Sequence, residues 1–76
     1  MKPKFFIGQN VVITKSVVFL FEDIIIRAGE IGRVVELDYF VLAPGDEPMI
    51  DYVVKVGERT LFFYAFELAA YPTLEG

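Results

Sequence analysis

The chain has no cysteine, no histidine and no tryptophan, and Ser16 is its only serine. Each absence closes a route. Without cysteine there is no disulfide, no thiolate metal site and no thiol nucleophile. Without histidine, the commonest metal ligand and the commonest acid–base group near neutral pH are both gone. Ser16 stands between Lys15 and Val17, outside any glycine-flanked nucleophile turn. The carboxylates are left with no partner for acid–base or nucleophilic chemistry, so no catalytic residue, cofactor or metal is expected. Asp46, Glu47 and Asp51 could in principle meet around a hard cation, but their spacing matches no ligand loop. They read as a solvated acidic hairpin tip, and Glu22 and Asp23 read the same way.

Long apolar runs are missing too. The most apolar window, Val11 to Ile26, is interrupted by Lys15, Glu22 and Asp23, short of the ~20 clean residues that a membrane helix needs. After Lys2 and Lys4, the run Phe5-Phe6-Ile7 is broken by Gly8-Gln9-Asn10 before the core of a leader peptide can form. The expectation is a cytoplasmic protein with no membrane partner.

What the chain has in excess is apolar material. Of its 76 residues 55% are hydrophobic, with eight Phe and four Tyr. That length allows one domain, residues 1–76 with a core over about 8–71. A domain of this size buries only about 60% of the surface its unfolded chain exposes. The aromatic surplus therefore has two uses: a dense core, and apolar surface to be covered by another chain. The net charge of −4 and pI near 4.6 argue against a nucleic-acid footprint. The charge is uneven, since residues 1–15 carry Lys2, Lys4 and Lys15 and no acid. Those lysines read as a solvated arm.

The strand signals are short, rich in Val, Ile, Phe and Tyr, and separated by turn residues. Val11–Thr14 comes first. Val17–Phe21 leads through Glu22-Asp23 into Ile24–Ile26, a long excursion between core strands. A tight turn at Gly29 follows, where positive φ is expected, and then a strand over Ile31 to about Val41. Gly32, at its start, permits the close passage of another backbone or a bend in the strand. Ala43–Pro48 is a hairpin tip. Met49–Val56 returns, with Tyr52, Val54 and Val56 facing inward by period-two alternation. Gly57-Glu58-Arg59 turns into Thr60–Tyr64. Ala65–Leu68 suits one 3₁₀ turn, and Ala69–Tyr71 a closing strand.

The segment Ala28-Gly29-Glu30-Ile31-Gly32-Arg33-Val34 resembles a KOW-type glycine turn. With the short strands and the terminal 3₁₀ turn, the stretch from Gly8 to Tyr71 is similar to an SH3-like small β-barrel of about five strands. It also resembles small bacterial domains of unknown function that close on a segment like Phe66-Glu67-Leu68. The resemblance implies an all-β barrel. For KOW-type proteins it implies RNA or the transcription and translation machinery as partner. The basic loops of that family are not evident here: Arg27 and Arg33 flank the turn, Glu30 lies between them, and Glu36 and Asp38 follow. Peptide-binding SH3 domains use a tryptophan that this chain lacks.

The remaining candidates are surfaces. Phe19 and Phe21, two apart in an expected strand, would share one face and form an aromatic anchor. Phe62 and Tyr64 form a second exposed pair, with Phe63 inward. The reading is a non-enzymatic protein-interaction module. It would be an accessory or adaptor subunit or a self-associating regulator, binding a protein partner or its own copies as a homo-oligomer through Phe19, Phe21, Phe62 and Tyr64. Nucleic-acid binding through the KOW-like turn and the N-terminal lysines stands second.

Overall fold

A computed structural model describes residues 2–72 of the chain. The described residues form an all-β domain. Its strands are β1 (Asn10–Ile13), β2 (Val17–Phe19), β3 (Ile24–Ile26), β4 (Ile31–Phe40), β5 (Met49–Val56), β6 (Arg59–Phe63) and β7 (Leu68–Ala70), with a 3₁₀ turn at Ala65–Glu67. Five strands make one antiparallel sheet in the order β6-β5-β4-β1-β7, and β2 pairs with β3 in a separate hairpin. The expected excursion between core strands is thus a hairpin in its own right. No helix among the described residues is long and apolar enough to cross a membrane.

The main sheet must curl. Five flat strands at ~4.8 Å spacing would set the edges β6 and β7 about 19 Å apart. Phe63 and Leu68 are joined by only five steps, three of them in a 3₁₀ turn. At ~2 Å rise in that turn and ~3.5 Å for each extended step, the link reaches roughly 13 Å. The two edges are therefore drawn toward each other, and the enclosed side becomes the core.

That core follows the alternation read from the sequence. Tyr52, Val54 and Val56 of β5 point inward beside Leu61 and Phe63 of β6, Val34 of β4, and Val11 and Ile13 of β1. Phe5, ahead of β1, sits edge-on to Tyr52 with ring centroids 5.3 Å apart. Phe19 brings the β2–β3 hairpin onto the core in the same way, 5.3 Å from Phe63. Each edge-to-face pair contributes about 0.5–1.5 kcal/mol beyond its buried area.

Two irregularities set the register. β4 carries a bulge between Val34 and Glu36, so Val35 and Glu36 together oppose Val53. The extra residue switches parity: Leu37 and Tyr39 then lie opposite the inward Tyr52 and Ile50, while Glu36, Asp38 and Phe40 stay on the outer face. This accounts for the Val34-Val35 doublet, which no simple alternation fits. The second irregularity is the glycine turn. Gly29 has φ +96°, and its N–H donates to the Ile13 carbonyl at 2.8 Å, while the Ile13 N–H donates to Glu30 O at 2.8 Å. Gly32 permits a close approach, because a Cβ there would lie 2.9 Å from the Lys55 carbonyl oxygen and 2.5 Å from Val54 Cγ1. Both expectations for these glycines hold. Ser16 braces the same turn, its Oγ accepting from the Ala28 N–H at 3.2 Å.

Candidate functional site

The end of β1 and the 3₁₀ turn are tied together by two hydrogen bonds. The Thr14 N–H donates to the Glu67 carbonyl at 2.9 Å, and Thr14 Oγ1 donates to the Phe66 carbonyl at 3.2 Å. The turn is held from within by Glu67, a buried acid whose Oε1 accepts from the Tyr64 N–H at 2.8 Å. A carboxylate that reaches back to the N–H opening a turn satisfies a donor the turn itself leaves free. The result is a rigid platform. On it the rings of Tyr64 and Phe66 stack, with centroids 5.5 Å apart and planes 11° from parallel.

Three lysines converge on this pair. Lys15, just past β1, holds its Nζ 5.0 Å from the Phe66 ring centroid, a cation–π contact worth about 0.5–1 kcal/mol at an exposed site. Lys2 and Lys4 stand at the rim of an adjoining groove of about 260 Å³, whose walls are Met49, Ile50, Tyr52 and the Tyr64–Phe66 platform. The lysines are exposed, as read from the sequence, but the backbone of the N-terminal arm is pinned to the domain. The Lys4 N–H donates to the Tyr52 hydroxyl at 2.7 Å, which gives that buried phenol its partner, and Phe5 packs beneath. The chain has four lysines in all; two of them line this apolar groove and a third lies against the Phe66 ring that walls it.

This groove was not legible in the sequence as a site. Tyr64 stood among the candidates, but Phe66 was read only as part of the 3₁₀ turn. The lysines lie about fifty to sixty residues from the aromatics they join, and no local signal links them. The remaining candidates fall elsewhere. Phe62 is 54% exposed on the outer face of β6, while Phe63 is buried, as the alternation requires. Phe19 and Phe21 do not share a face. β2 ends at Phe19, which packs on Phe63, and Phe21 lies fully exposed in the turn before Asp23, whose φ is +57°. The strand stops where the four residues Leu20–Asp23 close the hairpin, so the period-two argument fails between these two residues. A mixed polar–apolar hollow of about 410 Å³ lies along this hairpin, bordered by Leu20, Ile25, Asp23 and Arg27. Among the described residues, no three carboxylates gather closely enough to hold a metal ion.

The outer face of the sheet has its own electrostatics. Asp51 lies directly across the ladder from Asp38, and Arg33 directly across from Lys55. Partial burial pushes the Asp51 carboxyl above its ordinary range, and the charges of Asp38 and Glu67 push it further the same way.

Comparison with protein-family models, with curated proteins and with solved structures returns no match for this chain.

Proposed function

We propose that this chain is a cytoplasmic, non-enzymatic protein-interaction module built on an SH3-like barrel. Its groove would take an extended acidic segment of another protein, with one aromatic or long aliphatic side chain set against Tyr64 and Phe66. The observation that carries this reading is the meeting of a stacked aromatic pair with three lysines. A volume of about 260 Å³ lies below the ~300–1,000 Å³ of sites that enclose whole small molecules. It suits one or two side chains of a segment lying across the surface. The lysines favour carboxylates on either side, and the fixed aromatics supply contact area at little entropic cost. The barrel assignment is supported by the strand order β6-β5-β4-β1-β7 and by the short link between its two edges. The non-enzymatic assignment is supported by the lack of histidine and cysteine throughout the sequence.

One observation favours a second reading. Stacked aromatics beside lysines are also the parts of a single-strand nucleic-acid surface. The net charge of −4 weighs against it.

Both readings are tested by fluorescence anisotropy with two labelled probes. One is a peptide library in which a central Phe or Leu is flanked by Asp and Glu; the other is oligothymidine. The module reading expects saturable peptide binding that Phe66→Ala weakens about tenfold, a loss of ~1.4 kcal/mol. Binding of oligothymidine alone, falling steeply with salt, would transfer the groove to nucleic acid. Peptide binding equal in Phe66→Ala and wild type would remove the groove from the account.

A further inference from the structure

The outer face of β4, β5 and β6 orders its charges around an apolar centre. Val53 lies on the outward side of β5, apart from the core cluster, and neighbours in its own chain already cover it to 6% exposure. It is flanked by Phe62 on β6 and by the Val35–Glu36 bulge on β4. Two residues along β5 in one direction, Asp51 faces Asp38; two residues in the other, Lys55 faces Arg33. Like charges directly opposed on neighbouring strands destabilise a sheet. Here one face carries an acidic pair, an apolar centre and a basic pair in line, with the acidic and basic pairs about 13 Å apart.

Such a face is complementary to itself. A second copy laid on it about a two-fold axis parallel to the strands would set acid on acid and base on base. An axis across the strands, passing over Val53, reverses the second copy and sets each acidic pair on a basic one. It also brings the exposed Phe62 and Val35 of the two copies together over the covered Val53. The charges thus select one of the two face-to-face arrangements, and the contact is isologous, as closed dimers require.

We propose that this face joins two copies of the chain, packed about a two-fold axis crossing the strands at Val53, with Asp38 and Asp51 of each copy against Arg33 and Lys55 of the other. The inference deepens the reading of the chain as an interaction module by naming a partner, a second copy, and it does not involve the Phe66 groove. A standard interface takes about 800 Å² from each partner, about one-seventh of the 5535 Å² that this chain exposes. Glu36, opposite Val53, is the residue the arrangement tolerates least, because it approaches its own counterpart near the axis.

The test is sedimentation equilibrium on the full chain and three variants, with circular dichroism to confirm folding. Wild type should form a dimer that weakens as salt rises. The double variants Arg33→Glu with Lys55→Glu, and Asp38→Lys with Asp51→Lys, should each be at least about tenfold weaker as dimers, and an equimolar mixture of the two should recover a dimer. Glu36→Gln should tighten the wild-type dimer. A wild type that stays monomeric at millimolar concentration overturns the proposal, as does a dimer unaffected by both charge reversals or a mixture that stays monomeric. If a reversed variant fails to fold, Phe62→Glu, at an exposed position, decides in its place: a dimer unchanged by it refutes the central contact. Peptide binding by a monomeric Phe62→Glu would separate failure of this contact from failure of the groove.

Discussion

A single methyl group measures how closely β4 crosses β5. Gly32→Ala places a Cβ against the Lys55 carbonyl oxygen and the Val54 and Val56 side chains. Backbone cannot move aside as a side-chain tip can, so the substitution should cost about 1–3 kcal/mol. In a domain this small that lowers the thermal midpoint by about 4–8 °C for each kcal/mol; an unchanged midpoint would mean the strands are not that close. Asp51 makes a prediction of opposite sign. Burial and Asp38 raise its carboxyl pKa in the folded state, so the fold holds that proton more tightly than the unfolded chain does. Its ionised form therefore detracts from stability. The loss sets in as pH rises through the window between the ordinary and the raised value, and is complete above the raised one. Asp51→Asn, measured in dilute protein, should stabilise by about 0.2–1 kcal/mol at pH 7, and the gain should fade as pH drops through that window. A gain that persists in acid would locate the effect outside the carboxylate. At this scale the sequence was informative wherever one residue type answers a local demand. Gly29 at positive φ, Gly32 at a crossing, and the inward Tyr52, Val54 and Val56 follow from backbone geometry and period two alone. Phe66 did not, because its role comes from Lys15 and Thr14, which reach it only through the tertiary fold.

Among elements, the β2–β3 hairpin separates the two phenylalanines that alternation would have paired. Phe19 anchors the hairpin on Phe63, whereas Phe21 sits in its turn. Phe19→Ala should therefore destabilise the domain by about 2–3 kcal/mol, less than the ~3–5 kcal/mol of a fully buried Phe. Phe21→Ser should stay within about 0.5 kcal/mol of wild type in urea unfolding. Equal losses at both positions would contradict the hairpin's placement. The strand ends explain what alternation could and could not reveal. β5 was legible to the residue, Met49 to Val56, because turn residues bound it on both sides. β4 was legible in extent but not in parity, because the Val35–Glu36 bulge shifts its inward face halfway along. β2 is three residues long, too short for a periodic pattern to mark where it stops.

Across the whole molecule, the excess of apolar residues divides between a core and a surface. The core gathers inward residues from the main sheet, Phe5 and the hairpin's anchors. The surface keeps Phe62 and the Tyr64–Phe66 platform, and lysines from the start of the chain border only the platform. Composition pointed to apolar surface beyond the needs of a core, but it could not place that surface. Its location depends on the curl of the sheet, which brings the N-terminal arm against the last turn. The proposed meeting place with a partner is this groove, walled in part by Phe66, lined by Lys2 and Lys4, and with Lys15 against the Phe66 ring. The most direct measurement is an amide ¹H–¹⁵N titration of the full chain with an acidic, Phe-centred peptide from the library. Shifts should concentrate at Lys2–Lys4, Lys15, Met49–Tyr52 and Tyr64–Glu67 and be lost in Phe66→Ala; shifts centred on the β2–β3 hairpin, or none at millimolar peptide, would rule the groove out.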